Sequence, residues 1–289
     1  MNIEETIKSH LDLYLPNHSF KDVLLYSVFP AGKLFRPKLV HAMAMDLGEI
    51  NEDHKFLASS IEIHHAYTLI HDDLPCMDDD DYRRGRESTH KKFNEWKAVL
   101  GGDALLSISM GLLANIKSNK LPELLHLYCE YTGPKGLILG QVMDLGLENE
   151  TIDNIIRIHT LKTSRLIQLA LEGSFLLSNS KIDQSDISSL GLDIGILFQL
   201  LDDLSEIDAN ISKHELDINP FINLNSTELF LILNKSLTDL YSTINKHKLQ
   251  NISNIMDSYL TLMKDKINNN TNFIQKYISG FNIDIINFK

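Results

Sequence analysis

The stretch His71-Asp72-Asp73-Leu74-Pro75-Cys76-Met77-Asp78-Asp79-Asp80-Asp81-Tyr82-Arg83-Arg84-Gly85 tells most about the fold and the chemistry of this chain. Six aspartates fall within ten residues, directly after an apolar run with helical spacing. Carboxylates at this density repel one another unless a divalent cation lies between them. Mg²⁺ is usually held by such hard oxygen ligands together with water and substrate phosphates, and the guanidinium groups of Arg83 and Arg84 suit phosphate oxygens. The stretch therefore predicts a site for a magnesium-bound polyphosphate.

A second acidic motif lies far downstream, in Phe198-Gln199-Leu200-Leu201-Asp202-Asp203-Leu204-Ser205-Glu206. On a helix, Asp202 and Glu206 stand at i and i+4, so both carboxylates lie on one face with Asp203 beside them. A single acidic run is typical of a solvated helix end. Two Asp-Asp pairs, each after an apolar helical run, instead predict two facing helices around one site.

The composition sets limits on the architecture and the partners. The chain has 289 residues and is 43% hydrophobic, and no linker rich in Pro, Gly or Ser divides it, so we expect one domain over residues 1–289. The net charge of −12 argues against a nucleic-acid partner. Cys76 and Cys129 form neither a disulfide framework nor a zinc-binding spacing, which favours the reducing cytoplasm. We expect no signal peptide and no apolar stretch that approaches the length of a membrane span.

Apolar residues recur at helical spacing through most of the chain, and strand-like alternation is scarce. The sequence therefore predicts an all-α fold, with helices that include residues 23–28, 56–61, 155–158 and 187–201. Gly and Pro predict breaks near Pro30-Ala31-Gly32, Gly101-Gly102, Gly133-Pro134 and Asn219-Pro220.

Further short motifs lie between the two acidic ones: Gly102-Asp103-Ala104, Gly140-Gln141 with Asp144, and Lys162-Thr163. In this order, over about residues 31–224, the motifs resemble the polyprenyl synthetase family, and within it the bacterial farnesyl diphosphate synthases. The resemblance implies the isoprenoid synthase fold, a helical bundle around a central cavity, and a homodimer. It also implies Mg²⁺-assisted ionisation of an allylic diphosphate (dimethylallyl or geranyl) to a carbocation. Isopentenyl diphosphate would attack that carbocation head to tail and give the C15 farnesyl product.

The resemblance assigns roles to the first acidic motif and to the arginines after it. Asp72 and Asp78 would bind magnesium, and Asp73 would support them. Arg83 would bind the allylic diphosphate, and Arg84 would bind isopentenyl diphosphate.

In the second motif, the resemblance makes Asp202 and Asp203 catalytic residues that serve a further magnesium ion, with Asp202 as its ligand. Lys162 and Thr163 match a pair that contacts the allylic diphosphate, with Lys162 also taking part in catalysis. Gln199 lies in the Phe-Gln sequence that leads into the motif and is expected to bind substrate.

The loop Ala31-Gly32-Lys33-Leu34-Phe35-Arg36-Pro37 resembles a family loop in which Lys33 and Arg36 grip isopentenyl diphosphate. A histidine with the same ligand is expected at His65, two helical turns before the first acidic motif and therefore on the same face. His64, next to it, is the alternative.

Several positions depart from the family pattern. Ala31 replaces Gly, Leu34 replaces Arg, Glu206 replaces Asp, and Ile218 occupies the place of a lysine. We expect Glu206 to be tolerated and the loop to keep its main cations. For the lysine missing at Ile218, Lys213 or another cation would substitute, or turnover would be reduced.

In this family, residues just before the first acidic motif set the length of the product. Thr68 lies four residues and Tyr67 five residues before Asp72. A ring about one helical turn, roughly 5.4 Å, below the metal site would floor the pocket and stop chain growth early. Tyr67 therefore favours the C15 product, and packing in the core is its alternative role.

Four other functions compete with this one. A geranylgeranyl (C20) synthase of the same family differs only in product length. A terpene cyclase shares the fold but usually lacks the loop with Lys33 and Arg36. An HD-type phosphohydrolase is suggested by His71-Asp72 but leaves the second acidic motif without a role. A non-catalytic partner subunit would be expected to have lost one acidic motif, whereas both are present.

Overall fold

The computed structural model describes residues 2–48 and 50–288, and it confirms the predicted all-α architecture. The helices in chain order are α1 Ile3–Asp12, α2 Lys21–Val28, α3 Phe35–Asp46, α4 Glu52–Asp72, α5 Thr89–Lys92, α6 Glu95–Leu113, α7 Leu121–Thr132, α8 Leu137–Leu145, α9 Ile152–Ile158, α10 Arg165–Leu176, α11 Gln184–Ser205, α12 Lys213–Ile218, α13 Pro220–Asn223, α14 Ser226–His247, α15 Gln250–Asn269 and α16 Thr271–Tyr277. A π-helical turn, His159–Ser164, joins α9 to α10, and a 3-10 turn covers Ile283–Ile285. Among the described residues, the only strands are β1 Tyr82–Arg83 and β2 Arg86–Glu87, an antiparallel hairpin after the first acidic motif.

Two long helices, α4 and α11, end at the acidic motifs. Each begins at a side-chain cap: Asn51 Oδ1 accepts from His54 N at 3.2 Å, and Asp183 Oδ1 accepts from Ser185 N at 3.0 Å. Helix α4 packs against α3 and α6, and α11 packs against α10 and α14. Because both helices are buried along most of their length, the core fixes the positions of the two acidic ends.

The predicted break at Gly101-Gly102 is wrong, because both glycines lie inside α6. They allow close packing instead. A Cβ at Gly102 would lie 2.1 Å from His71 Nε2, and a Cβ at Gly101 would lie 3.3 Å from Val23 Cγ1. Helix α6 therefore approaches the end of α4 closely, and His71 Nε2 lies 3.0 Å from the carbonyl oxygen of Val99. The breaks predicted at the other three places are confirmed.

The expectation that no apolar stretch approaches the length of a membrane span needs correction at α6. This 19-residue helix is long and apolar enough to cross a membrane by length and composition alone, and less than half of its most apolar stretch is buried. A core helix of a globular protein passes the same test, and α6 packs along α4. The length and composition of α6 are therefore weak evidence for a membrane segment.

The π-helical turn presents two predicted site residues, Lys162 and Thr163. Such turns often occur at functional sites. A Cβ at Gly140, on α8, would lie 2.5 Å from Lys162 N, and a Cβ at Gly195, on α11, would lie 2.1 Å from Ser164 Oγ. Helices α8 and α11 therefore hold the turn between them, with no room for a side chain at either glycine.

The Asn-rich C-terminal third packs onto the same core, since apolar residues of α14 and α15 are buried together with those of α3, α10 and α11. Asp46 caps the start of α15 and accepts bonds from Asn251 N at 2.8 Å and Ile252 N at 2.9 Å. Farther along α15, the ring of Tyr259 stacks on that of Phe198, with 5.2 Å between the centroids. Helix α15 is thus fixed against the helix that carries the second acidic motif.

Candidate active site

The first acidic motif begins in the last turn of α4 and folds back on itself. Asp78 N donates to the carbonyl oxygen of Asp72 at 2.9 Å, and Asp79 N donates to that of Leu74 at 3.2 Å. The loop therefore brings Asp78 beside Asp72. In the described part of the chain, no lysine, arginine or histidine nitrogen lies within 4 Å of either carboxylate.

The carboxylates of half-buried Asp72 and exposed Asp78 lie in a negatively charged place. Burial raises the pKa of Asp72 to about 7, and the carboxylates of Asp78 and Asp73 act in the same direction, against the opposite effect of Lys162. Burial also raises the pKa of Asp78. A divalent cation would relieve this repulsion, and its binding would displace protons from the pair.

Asp73, in contrast, is paired with an arginine. Arg83 donates to Asp73 Oδ1 from Nε at 2.8 Å and from Nη2 at 2.6 Å. The same Nη2 donates to Asp80 Oδ2 at 2.6 Å. Because Asp73 is buried, this ion pair fixes the guanidinium of Arg83 at the edge of the motif.

The loop between α2 and α3 lies against Arg84. Arg84 Nη1 donates to the carbonyl oxygen of Pro30 at 3.1 Å, and a Cβ at Gly32 would lie 3.2 Å from Arg84 Nε. Leu34 takes a left-handed conformation, with φ of 52°, just before α3 begins. The glycine of this loop therefore leaves room for the second arginine after the acidic motif.

Arg36 lies close to a buried acid, Glu62, and His65 lies close to Arg36. Burial lowers the pKa of Arg36, and Glu62 offsets part of that effect. Burial raises the pKa of Glu62, against the effects of Arg36 and Arg84. Burial, together with the cations of Arg36 and Arg84, lowers the pKa of His65 well below its ordinary value. His65 is therefore neutral at physiological pH and has two cationic neighbours.

Lys162 connects the π-helical turn to the first acidic motif. Its Nζ lies 2.5 Å from Asp144 Oδ2, on α8. Burial acts to lower the pKa of Lys162, but Asp144, Asp72 and Asp78 outweigh burial and raise it. Lys162 is therefore a protonated cation beside the motif. Asp144 entered the sequence prediction only as a family marker, and its position one helical turn after Gly140 is the signal that places it near Lys162.

Thr163 connects the same turn to the second acidic motif. Thr163 Oγ1 donates to Gln199 Oε1 at 3.0 Å, and Gln199 Nε2 donates to Asp203 Oδ1 at 2.9 Å. His159 Nε2, which the sequence prediction did not include, lies 3.4 Å from Asp203 Oδ2. Burial raises the pKa of Asp203 well above its ordinary value. Asp203 is thus the end of a buried chain of polar side chains.

Asp202 and Glu206 are the carboxylates of the second motif without a cationic partner, and the carboxyl group of Glu206 is hydrogen-bonded to that of Glu215. Glu206 N donates to the carbonyl oxygen of Asp202 at 3.0 Å, so the two residues lie one turn apart. Burial raises the pKa of Asp202, and burial together with the carboxylates of Asp202 and Glu215 raises the pKa of Glu206 to about 7. Among the described residues, no basic nitrogen lies within 4 Å of either carboxylate. Lys266 and Lys33 are near enough to lower the pKa of Asp202.

Tyr67, the predicted chain-length residue, lies on α4 between two histidine rings. Its ring centroid is 4.9 Å from that of His64 and 5.2 Å from that of His71, both in edge-to-face contact. His64 belongs to the core, where its Nδ1 lies 2.6 Å from Tyr128 Oη. Thr68 is buried, and its hydroxyl donates to the carbonyl oxygen three residues earlier at 2.9 Å. Tyr67 is therefore held in place and is half-buried near the first acidic motif.

A further group of possible metal ligands lies in the same acidic stretch and comprises Asp79, Asp81 and His90. Both aspartates are exposed. Asp81 Oδ1 lies 2.7 Å from Lys91 Nζ. This ion pair makes the group a poorer cation site than Asp72 with Asp78, whose carboxylates have no cationic partner.

Comparison with known proteins assigns the family. The family model described as polyprenyl synthetase matches residues 17–218. The chain belongs to the polyprenyl synthetase family. The farnesyl diphosphate synthase of Micrococcus luteus is 34% identical over 255 residues, which cover 82% of this chain and 87% of that protein. The chloroplastic geranylgeranyl pyrophosphate synthase of Capsicum annuum is 33% identical over 207 residues, which cover 69% of this chain and 56% of that protein.

Solved structures of polyprenyl synthetase relatives show the same fold. The geranyltransferase of Helicobacter pylori, in a crystal structure with magnesium and isoprenyl diphosphate, matches with a TM-score of 0.73 and 29% identity, over 90% of this chain and 98% of that one. The resemblance inferred from the sequence motifs and the predicted isoprenoid synthase fold are therefore confirmed. The family match also excludes the terpene cyclase and the HD-type phosphohydrolase.

At Ile218, this polyprenyl synthetase has no lysine at the end of α12. The next residue, Asn219, instead donates from Nδ2 to the carbonyl oxygen of Asp203 at 2.7 Å. Lys213 forms no ion pair within the described ranges 2–48 and 50–288. The predicted substitution by Lys213 therefore has no contact that supports it.

Replacing Asp72 by Asn should abolish most activity and also stabilise the metal-free protein. We expect turnover to fall about 100-fold or more, because a metal ligand is lost. The melting temperature at pH 8 should rise, since the pKa of Asp72 is raised to about 7 and its ionised form is disfavoured in the fold. A raised carboxyl pKa costs stability only above the unfolded pKa, so the gain should shrink as the pH falls from 7 towards 4.

Asp81→Asn is the matched control, because it removes one charge from the same stretch at an exposed, lysine-paired position. It should keep the wild-type turnover. Steady-state kinetics and thermal melts at several pH values measure both effects, and wild-type turnover of Asp72→Asn would contradict its assignment as a metal ligand.

Proposed function

We propose that this protein is a farnesyl diphosphate synthase, which condenses isopentenyl diphosphate head to tail with dimethylallyl or geranyl diphosphate. One observation carries the proposal: adjacent residues of a single turn are each linked to a different acidic motif, Lys162 through its charge and Thr163 through a hydrogen bond. Lys162 lies beside Asp72 and Asp78, while Thr163 is bonded through Gln199 to Asp203. A diphosphate beside this turn can therefore meet carboxylate-bound cations from both motifs.

The chemistry of the free carboxylates fits magnesium. Asp72, Asp78 and Asp202 are hard oxygen donors without a cationic partner in the described chain, and Glu206 adds a fourth. We propose that Asp72 and Asp78 hold magnesium at the first motif and that Asp202, with Glu206, holds it at the second. When bound, magnesium neutralises the charge that develops on the departing diphosphate.

The chain's own cations would divide between the two substrates. Lys162, protonated and half-buried, and Arg83, fixed by Asp73, are placed to bind the allylic diphosphate as its carbon–oxygen bond breaks. Arg84 and Lys33, with the half-buried Arg36, would bind isopentenyl diphosphate.

Neutral His65 lies among these cations and can donate a hydrogen bond to the same diphosphate without adding charge. The double bond of isopentenyl diphosphate then attacks the allylic carbocation, and loss of a proton gives the longer allylic diphosphate.

The direct test is an incubation of the purified protein with Mg²⁺, radiolabelled isopentenyl diphosphate and geranyl diphosphate, with products resolved by chain length. A C15 product is expected. A C20 product would instead support the geranylgeranyl synthase, a function carried by the Capsicum annuum relative. Absence of elongation with every allylic primer would contradict the proposal and favour the non-catalytic partner subunit.

Replacing Tyr67 by Ala should lengthen the product beyond C15. The tyrosine ring fills space one turn below Asp72, between His64 and His71, so its removal should open room for a longer prenyl tail. Tyr277→Ala, at an exposed position that ends α16, is the control and should leave the product unchanged. Chromatography of the prenyl products is the measurement, and an unchanged C15 product from Tyr67→Ala would place the pocket floor elsewhere.

We also propose that the enzyme is a cytoplasmic homodimer formed through α6. Trp96, Val99 and Leu100 share one face of this helix and are 59%, 39% and 50% exposed. An apolar helix that is less than half buried needs a partner surface in water. Cys76 and Cys129 are both free and exposed, which suits a reducing compartment.

Light scattering should give a molar mass of about twice the 32.9 kDa of the chain. Leu100→Glu should shift the protein towards the monomer, because it places a charge in the apolar interface. Leu262→Glu, at a residue of α15 that is 53% exposed, should leave the mass unchanged. A wild-type monomer at all concentrations would contradict the dimer.

A further inference from the structure

The second acidic motif has a large excess of carboxylate for its surroundings. The carboxylates of Asp202 and Glu215 raise the pKa of Glu206, and those of Glu206, Asp202 and Glu215 raise the pKa of the buried Asp203. In the described chain, no lysine or arginine forms an ion pair with any of these four carboxylates. The first motif differs, because Arg83 forms ion pairs with its Asp73 and Asp80.

Two cations from distant parts of the sequence, Lys33 and Lys266, lie near this motif, and Lys266 is hydrogen-bonded to it. Lys266, on α15, donates from Nζ to Ser205 Oγ at 2.9 Å. Ser205 Oγ in turn donates to the carbonyl oxygen of Asp202 at 2.9 Å. The ammonium is therefore held by a neutral hydroxyl beside the motif, within electrostatic range of Asp202 and Glu206.

The position of Lys266 is fixed by the helix that carries it. Asp46 caps the start of α15. Tyr259, two turns before Lys266 and on the same face, donates from Oη to the carbonyl oxygen of Phe198 at 3.2 Å. One turn after Lys266, Asn270 Nδ2 lies 3.4 Å from the carbonyl oxygen of Ser205. These contacts hold α15 against α11 on both sides of the lysine.

A lysine ammonium has three donors, and Ser205 occupies one of them. A lysine that served only to neutralise the carboxylates would gain most from direct ion pairs with them. Lys266 instead stays within reach of the motif without pairing, so its free donors suit an anion that arrives with a metal ion on Asp202.

We propose that Lys266 is a substrate-binding residue that contacts the diphosphate of the allylic substrate at the second acidic motif. The inference rests on the proposed function. It gives the second motif a cation in the absence of a lysine at Ile218, and it makes Lys266 the counterpart of Lys162 at the first motif.

The test compares Lys266→Gln, Lys266→Arg and Lys264→Gln with the wild type. Lys264→Gln removes the same charge from the same helix two residues away, and so from another face. Calorimetric titration with inorganic pyrophosphate in saturating Mg²⁺ should show binding weakened about 10- to 100-fold in Lys266→Gln. Binding should be largely restored in Lys266→Arg and unchanged in Lys264→Gln. The KM for geranyl diphosphate should rise in Lys266→Gln, while that for isopentenyl diphosphate stays near the wild-type value.

A second titration separates this role from a purely structural one. Without pyrophosphate, Mg²⁺ should bind Lys266→Gln at least as tightly as the wild type, because a cation near Asp202 opposes the metal. Equal pyrophosphate binding by Lys266→Gln and the wild type would overturn the role of Lys266, and so would a loss confined to thermal stability. Failure of the wild type itself to bind pyrophosphate with Mg²⁺ would overturn the proposed function instead.

Discussion

Carboxylates without a cationic partner are the constraint on which the rest of this structure depends. Asp72 and Asp202 are half-buried, Asp78 and Glu206 are exposed, and the pKa of each of these carboxyl groups is raised. Like charges placed in this way oppose folding. They persist because burial of α4 and α11 in the core fixes the end of each helix that carries an acidic motif. The cost in stability is what gives the site its affinity for divalent cations, since the bound metal relieves the repulsion.

The two residues of each Asp-Asp pair have different roles, one facing the site and the other packing inward. Successive residues on a helix point about 100° apart, so one carboxylate can face the site while the next turns into the packing. Asp73 is bound there by Arg83, and Asp203 by Gln199. Asp73 thus fixes Arg83, which is proposed to bind substrate. Asp203 fixes Gln199, which connects to the π-helical turn. An Asp-Asp pair therefore supplies both a ligand and its support.

The sequence reveals those features whose signal is local. Helical periodicity predicts the all-α fold, and the spacing of Asp202 and Glu206 predicts their shared face. The pair Gly101-Gly102 predicts a break because glycine weakens an isolated helix. In the fold, His71 packs so closely against Gly102 that no side chain fits there. Lys266 had no local signal at all, since a lysine on the polar face of an amphipathic helix is ordinary and Ser205 is 61 residues away. Contacts between distant segments become visible only once the fold is known.

The π-helical turn has a consequence for the evolution of this site. Its wider turn holds one residue more than an α-helical turn would, so α9 and α10 are out of phase by about 100° relative to one continuous helix. Within this turn, Lys162 lies near the first acidic motif, and Thr163 is hydrogen-bonded to Gln199 of the second. Deleting a single residue from the turn would restore a regular helix and rotate one segment against the other, even with every motif residue retained. The site therefore depends on the helical register between α9 and α10 as well as on its side chains.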